Sequence, residues 1–477
     1  MNRAGERSLW APRAWLADGW AERVLLRIGE DGRWSEVTPD VAEPPPGTQR
    51  LQGPALPGLV DAHGHAFQRA FAGLAERREA GHRHDDFWSW RERMYAVARR
   101  ITPAQLQAVA AQLYVELLCG GYTQVCEFHY LQHDADARRH AGDPLALTWA
   151  LADAAAEAGI GLTLLPVLYE RAGFDAPRLR DEQRRFALDA DGVWAACRRI
   201  GAAARPLVEA GLAIHSLRAA APASIARLRA LADGFEGPIH IHVAEQMREV
   251  DDCLTATGAR PVEWLAREGL LDARWQLVHA THVTRDEIDA VASAGAGVVL
   301  CPSTEANLGD GLTDLPGWLA ARNGAVRLAI GSDSHVTRDW REELRWLEYG
   351  QRLARRERNV AAGAEGGGRQ ASSAARLLQR VIAGGGAAAG YGHRGHWGLV
   401  PGARADLLVV DAGDPSLLGM AAEHLLDALV FSSPGRPWRD VMVAGRFVVC
   451  EHRHANAAPL AARFESAMRE LWAPAAG

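Results

Sequence analysis

The chain has 477 residues, 48% of them hydrophobic, and a formal charge of -6 with no acidic or basic run; it can bury a large core and has no electrostatic footprint for nucleic acid or a membrane surface. All 53 basic residues are arginine, which excludes Schiff-base chemistry, a pyridoxal-phosphate anchor, a phosphate-loop lysine and a carboxylated lysine bridging two metals. Six cysteines without a CxxC pair predict reduced, mostly buried thiols, and the lack of a signal-like start or a membrane-length apolar window predicts a cytoplasmic protein with a small-molecule partner.

In chain order, "RVLLRIGEDGRWSEV" (23–37) predicts two strands around a glycine-containing turn. A series of β-rich runs follows: "GLVDAH" (58–63), "YTQVCEFHY" (122–130), "IGLTLLPVLYE" (160–170), "GLAIHSLR" (211–218), "PIHIHVAE" (238–245), "WQLVHATH" (275–282), "GVVLCPSTEAN" (297–307) and "RLAIGSD" (327–333). Helical stretches such as "DPLALTWALADAAAEAG" separate them, and the strands are apolar throughout rather than alternating. That pattern belongs to a parallel sheet covered on both faces, and eight units predict a (β/α)8 barrel. The stretch 66–121 reads as an insertion lying like a lid over the barrel mouth, and the Gly/Ala stretch 361–390 as a flexible segment running into the last barrel helix. "GLVPGARADLLVVDAG" (398–413) and "DVMVAGRFVVCEHRH" (440–454) are again short strands. The expected organisation is therefore a small β domain of sandwich type from 1–57 and 391–477, with a C-terminal helix, beside a catalytic barrel at 58–390.

Polar residues gather at the strand ends: His63 and His65, His129 and Tyr130, His215, His242, His279, Ser303 and Asp333. In a barrel all eight carboxyl ends open on one face, so these residues should converge. His82, His84, His133 and His140 do not follow this pattern and read as surface residues. A strand points residues i and i+2 to one side, so His63 and His65 can reach one ion. An HxH pair alone is a weak signal. With "HIHVAE", "LVHATH" and "GSDSH" on later strands, His63, His65, His242 and Asp333 become candidate ligands of one divalent ion, zinc first and ferrous iron second. His240 competes with His242; the latter is preferred because Glu245 then stands three positions on, at the strand mouth.

The order of HxH on strand one, HxxE on strand five, His on strand six and Asp on strand eight, flanked by a β domain from both termini, resembles the mononuclear deaminase branch of the amidohydrolase superfamily. The resemblance implies hydroxide generated at the metal, Asp333 accepting the water proton, His279 directing the hydroxide, and Glu245 carrying a proton to the departing nitrogen. The stretches "HAFQRAFAGLAE", "FWSWRERMY", "EFHYLQH", "HSLRA", "HIHVAEQMREVDDC" and "CPSTEANLGDG" are similar, more narrowly, to the formimidoylglutamate deiminases. That family implies hydrolytic deamination of N-formimidoyl-L-glutamate in histidine degradation, with Gln68, Arg91, Tyr130, His215 and Arg218 binding the substrate. It also makes a homo-oligomer, a dimer, plausible. Arg91 is preferred to Arg93 because it directly follows "FWSW". Independently of the family, two arginines beside a deamination centre suit a substrate with carboxylates, since a guanidinium grips a carboxylate through two parallel hydrogen bonds. The competing readings are a deaminase of a heteroaromatic amine of guanine or pterin type, against which the arginines speak, and a metal-free scaffold, against which the complete ligand set speaks.

Overall fold

The structure is a computed structural model that describes residues 7–78, 86–140, 142–321, 326–363, 371–392, 397–432 and 435–473. All eight expected barrel strands form: Leu59–Gly64, Tyr122–His129, Gly161–Leu168, Leu212–Ile214, Ile239–Val243, Trp275–His279, Gly297–Leu300 and Arg327–Ile330. They pair in chain order, each neighbour parallel. Apart from Arg327 every residue in them is buried, because helices cover the outer face and side chains fill the interior. A parallel bridge between Gly64 and Asp333 joins the first strand to the turn after the eighth. There the Asp333 amide donates to the His63 carbonyl at 2.9 Å and the His65 amide to the Asp333 carbonyl at 3.2 Å.

The last barrel helix, Ser373–Ala388, packs on the eighth and first strands through glycine. A β-carbon at Gly384 would lie 2.1 Å from the Leu328 carbonyl oxygen, so only hydrogen fits there. Residues 364–370 of the Gly/Ala stretch lie outside the described residues.

Strands from both chain ends form a second, nine-stranded sheet. Ala55–Pro57 from the N-terminal part pairs antiparallel with Leu407–Val410 from the C-terminal part. The two strands expected in 23–37 appear as Gly19–Ile28 and Trp34–Thr38, with a further strand, Arg7–Leu16, paired to the first of them. This sheet has its own core, including Leu26, Trp34, Leu407, Val409 and Met442. Buried Arg404 ties it to the barrel. Its guanidinium pairs with Asp406 at 2.6 Å and donates to Gln124 Oε1 at 2.7 Å and the Thr123 carbonyl at 3.0 Å.

Between the first two barrel strands lie a short 3-10 turn, Ala66–Ala70, and two helices, Phe87–Ala98 and Pro103–Cys119. The second is capped by Thr102 and packs outside the barrel against Ala146–Ala158 and the C-terminal helix Ala457–Trp472. The first begins at Asp86, whose carboxylate accepts the Trp88 amide at 2.9 Å and the Ser89 amide at 3.2 Å. This capping fixes the first turn of the helix that brings Arg91 to the barrel mouth.

Candidate active site

Strand alternation turns His63 and His65 to the same side, their rings 4.7 Å apart and edge-on. His65 Nδ1 lies 2.9 Å from the Phe128 carbonyl oxygen. A carbonyl only accepts, so that nitrogen carries the proton and Nε2 keeps its lone pair for the barrel interior. His242, on the fifth strand, faces the first, with its Nε2 2.9 Å from His63 Nε2. Asp333 Oδ1 lies 3.5 Å from His63 Nε2 and 3.3 Å from His65 Nε2. Burial works against the Asp333 charge, but the facing imidazoles of His63 and His65 outweigh it and hold the carboxyl well below its usual range.

These donors suit one divalent ion. Nitrogen and oxygen ligands at about 2.0–2.2 Å from a tetrahedral centre stand roughly 3.3–3.6 Å apart, the size of both Asp333 separations. Two groups of donor atoms lie within 4.8 Å of one another and share His63: one adds His65 and Asp333, the other His242 and His279. His279 thus stands nearer the cluster than a purely outer residue would.

His279 Nε2 lies 3.8 Å from Asp333 Oδ2 and 3.7 Å from Glu245 Oε1, while its Nδ1 is 3.4 Å from Glu305 Oε1. Burial disfavours the imidazolium, yet Glu245, Glu305 and Asp333 together push the group up to about 10. Burial raises the Glu245 carboxyl above its ordinary value, with His279 and Arg218 pulling the other way. The backbone here is unusual: Ala244, His279, Ala280, Asp333 and His335 all adopt φ between 46° and 69° without being glycine. Such conformations cost energy and persist where surrounding structure imposes them. At Asp333 the imposing group is Asp61, buried on the first strand, which accepts the Ser332 amide at 2.8 Å and the Ser332 hydroxyl at 2.5 Å.

Beyond the cluster, a cavity of about 660 Å³, measured with its opening to solvent, runs out to the Phe87–Ala98 helix. Gln68, Arg91, Tyr130, His215 and Arg218 all line it, as do His65, His242, Glu245, His279 and Asp333. Gln68 Nε2 donates to the Tyr130 hydroxyl at 3.1 Å, and its Oε1 is buried without a partner. The Nε atoms of Arg91 and Arg218 are likewise buried and unpartnered. Among the described residues the carboxylate nearest Arg218 is that of Glu245, at 4.0 Å. Donors left unsatisfied in a buried cavity are costly, which favours an anionic occupant that accepts from them.

Neighbouring side chains have other attachments. His240 Nε2 donates to the Ala388 carbonyl at 2.9 Å, at the end of the last barrel helix. Arg93 turns to the carbonyls of Ala75 and Arg77. Ser303 donates from its amide and hydroxyl to Glu343 at 2.9 and 2.6 Å, and His129 is buried outside the cavity lining. His133 and His140 are half-buried; His82 and His84 lie outside the described residues. Four of the six cysteines are buried, and all are free. Sequence reading assigned nothing to Glu305, Trp88, Tyr95 or Tyr169. Glu305 and Tyr169 stand in quoted strand-end stretches and could have been picked up by position, whereas Trp88 and Tyr95 needed the placement of their helix.

Residues 55–448 match the Amidohydrolase family. The chain is 46% identical over 469 residues to the formimidoylglutamate deiminase of Pseudomonas aeruginosa, covering 97% of this chain and 99% of that protein. An amidohydrolase from Brucella melitensis, solved by crystallography, superposes with a TM-score of 0.89 at 40% identity, covering 98% of this chain and 99% of that one. A zinc-bound adenosine deaminase from Xanthomonas campestris shares the fold, with a TM-score of 0.79 at 23% identity and 97% and 98% coverage. The (β/α)8 barrel, the His/Asp cluster at its mouth and the near full-length match lead to one identification: the chain belongs to the amidohydrolase family, whose enzymes are metal-dependent hydrolases.

Proposed function

We propose that the chain hydrolyses N-formimidoyl-L-glutamate to N-formyl-L-glutamate and ammonia, the deiminase step of histidine degradation. The observation that carries this is the division of one cavity into two ends. At one end stands a His/Asp cluster fit for an ion, and at the other two guanidinium groups with unpartnered donors. An amidine carrying two carboxylates fills both ends at once. The near full-length similarity to a formimidoylglutamate deiminase supports the same substrate.

In this reading His63, His65, His242 and Asp333 would hold one ion, zinc before ferrous iron, with nitrogen and oxygen donors leaving the choice to geometry and supply. The ion supplies Lewis acidity, lowering the pKa of an attacking water toward neutral. Asp333 accepts a proton from that water. His279 hydrogen-bonds the attacking oxygen through Nε2 and aims it at the amidine carbon. Glu245, beside the cluster, delivers a proton to the nitrogen that leaves, so that ammonia departs instead of amide anion. Arg91 and Arg218 take the carboxylates in paired hydrogen bonds. Tyr130 keeps its hydroxyl proton, because burial raises it well above its ordinary value, and with Gln68 and His215 it fixes the glutamate backbone. The helix Phe87–Ala98 covers the far end, and water is excluded from the amidine by the aromatic wall around His215, where Tyr169 packs edge-on at 4.4 Å.

An ammonia-release assay tests the proposal. N-formimidoyl-L-glutamate should be turned over, and a chelator should stop it. Guanidino compounds and purine amines should be poor substrates. Preferential deamination of a purine or pterin amine would overturn the assignment.

A further inference from the structure

We infer that Trp88 is a positioning residue and specificity determinant of the anion-binding end: its indole seats the guanidinium groups of Arg91 and Arg218 as a preorganised pair that selects dicarboxylates. This inference rests on the substrate class proposed above. The Arg91 Cζ lies 4.5 Å from the Trp88 ring centroid and the Arg218 Cζ 5.6 Å from it. Phe87 and Tyr95 add weaker contacts, 5.7 Å to Arg218 and 5.8 Å to Arg91.

Two guanidinium groups in one buried cavity repel each other and lose hydration. A protein can offset this with a carboxylate, but a carboxylate occupies the same N–H edges that a substrate must use. An aromatic face attracts the cation through its quadrupole and leaves the in-plane donors open. The cavity follows the second course. Among the described residues Arg91 has no carboxylate partner, Arg218 has only Glu245 at 4.0 Å, and both Nε atoms are unpartnered. Trp88 is itself held in place. Its amide bonds to the capping carboxylate of Asp86 at 2.9 Å, and Phe87 stands against its ring at 5.1 Å and 90°. From the rim Arg248, on the helix Met247–Thr257, reaches the same indole at 4.8 Å. One side chain therefore gathers guanidinium groups from three segments of the barrel mouth.

The test uses the full-length, metal-loaded protein and the variants Trp88→Leu and Trp88→Phe, with glutarate as a dianionic probe and butyrate as a monoanionic one. Calorimetric titration should show glutarate binding about tenfold weaker in Trp88→Leu, with butyrate nearly unchanged. Trp88→Phe, which keeps a smaller π face, should recover part of the loss. In turnover the same loss should fall on KM, with kcat within about threefold of wild type. Glutarate affinity in Trp88→Leu within twofold of wild type overturns the inference. Equal weakening of both probes, tracking a fall in thermal midpoint, also overturns it, since that pattern marks a merely structural role. A wild-type protein that prefers glutarate yet releases no ammonia from N-formimidoyl-L-glutamate refutes the proposed reaction and leaves the role of Trp88 standing.

Discussion

The two ends of the cavity are built differently. At the proposed ion-binding end the donors sit on or just beyond barrel strands, His65 is oriented by the Phe128 carbonyl, and Asp333 is placed by the Asp61–Ser332 contacts. At the proposed anion-binding end the arginines come from a capped helix and a post-strand turn, and their Nε atoms are buried without partners. Each requirement falls to a different part of the fold. Chemistry that must hold several atoms within fractions of an ångström is carried by the hydrogen-bonded cylinder, while selection among substrates is carried by elements that can change without disturbing it.

Removing a donor from the rigid end should have the largest effect. Asp333→Ala should lower ammonia release to below about one-thousandth of wild type, and elemental analysis should find the metal content reduced with it. Glu245→Gln should separate proton transfer from ion binding. Turnover should fall by about 10² to 10⁴ while the metal stays, so loss of metal in this variant would place Glu245 in the ligand set. At the other end Arg91→Met and Arg218→Met should each lower kcat/KM for the glutamate amidine by about 10- to 100-fold, mainly through KM. Deamination of a heteroaromatic amine should be little affected, and the reverse pattern would overturn the substrate assignment.

The smallest effect concerns a histidine outside the cavity. Burial pushes His129 from 6.5 down to about 3, so the fold keeps it neutral where the unfolded chain takes up a proton. Its share of stability is fully present above about pH 6.5 and is lost as pH falls toward 3, at no more than about 1.4 kcal/mol per pH unit. Urea midpoints at pH 7 and pH 5 should therefore differ less in His129→Leu than in wild type.

Much of the barrel was legible because its signals are local. Each strand is an unbroken apolar run ending in a polar residue, and those ends are what the fold brings together. Alternation could not decide between His240 and His242, which share one side of their strand; the preference rested on Glu245 standing three positions beyond His242. The Ala388 carbonyl that takes up His240 lies far along the chain, and no local pattern shows it. The strand Arg7–Leu16 was not legible because proline and two arginines interrupt "RSLWAPRAWL", and its apolar residues find their core only by pairing with Gly19–Ile28. Glu305 and Trp88 escaped for a related reason: each acts by touching another side chain, His279 in one case and Arg91 and Arg218 in the other.

The joint between Gly64 and Asp333 makes the cylinder a hoop whose first and last staves carry the proposed ligands on either side of the join. The barrel's opening stretch supplies His63 and His65, and its closing stretch supplies Asp333. A cation cannot collect that set until nearly the whole barrel has come round on itself. In small zinc modules the ion organises an otherwise unfolded peptide; with the ligand set proposed for this barrel the order is inverted, and loading follows folding.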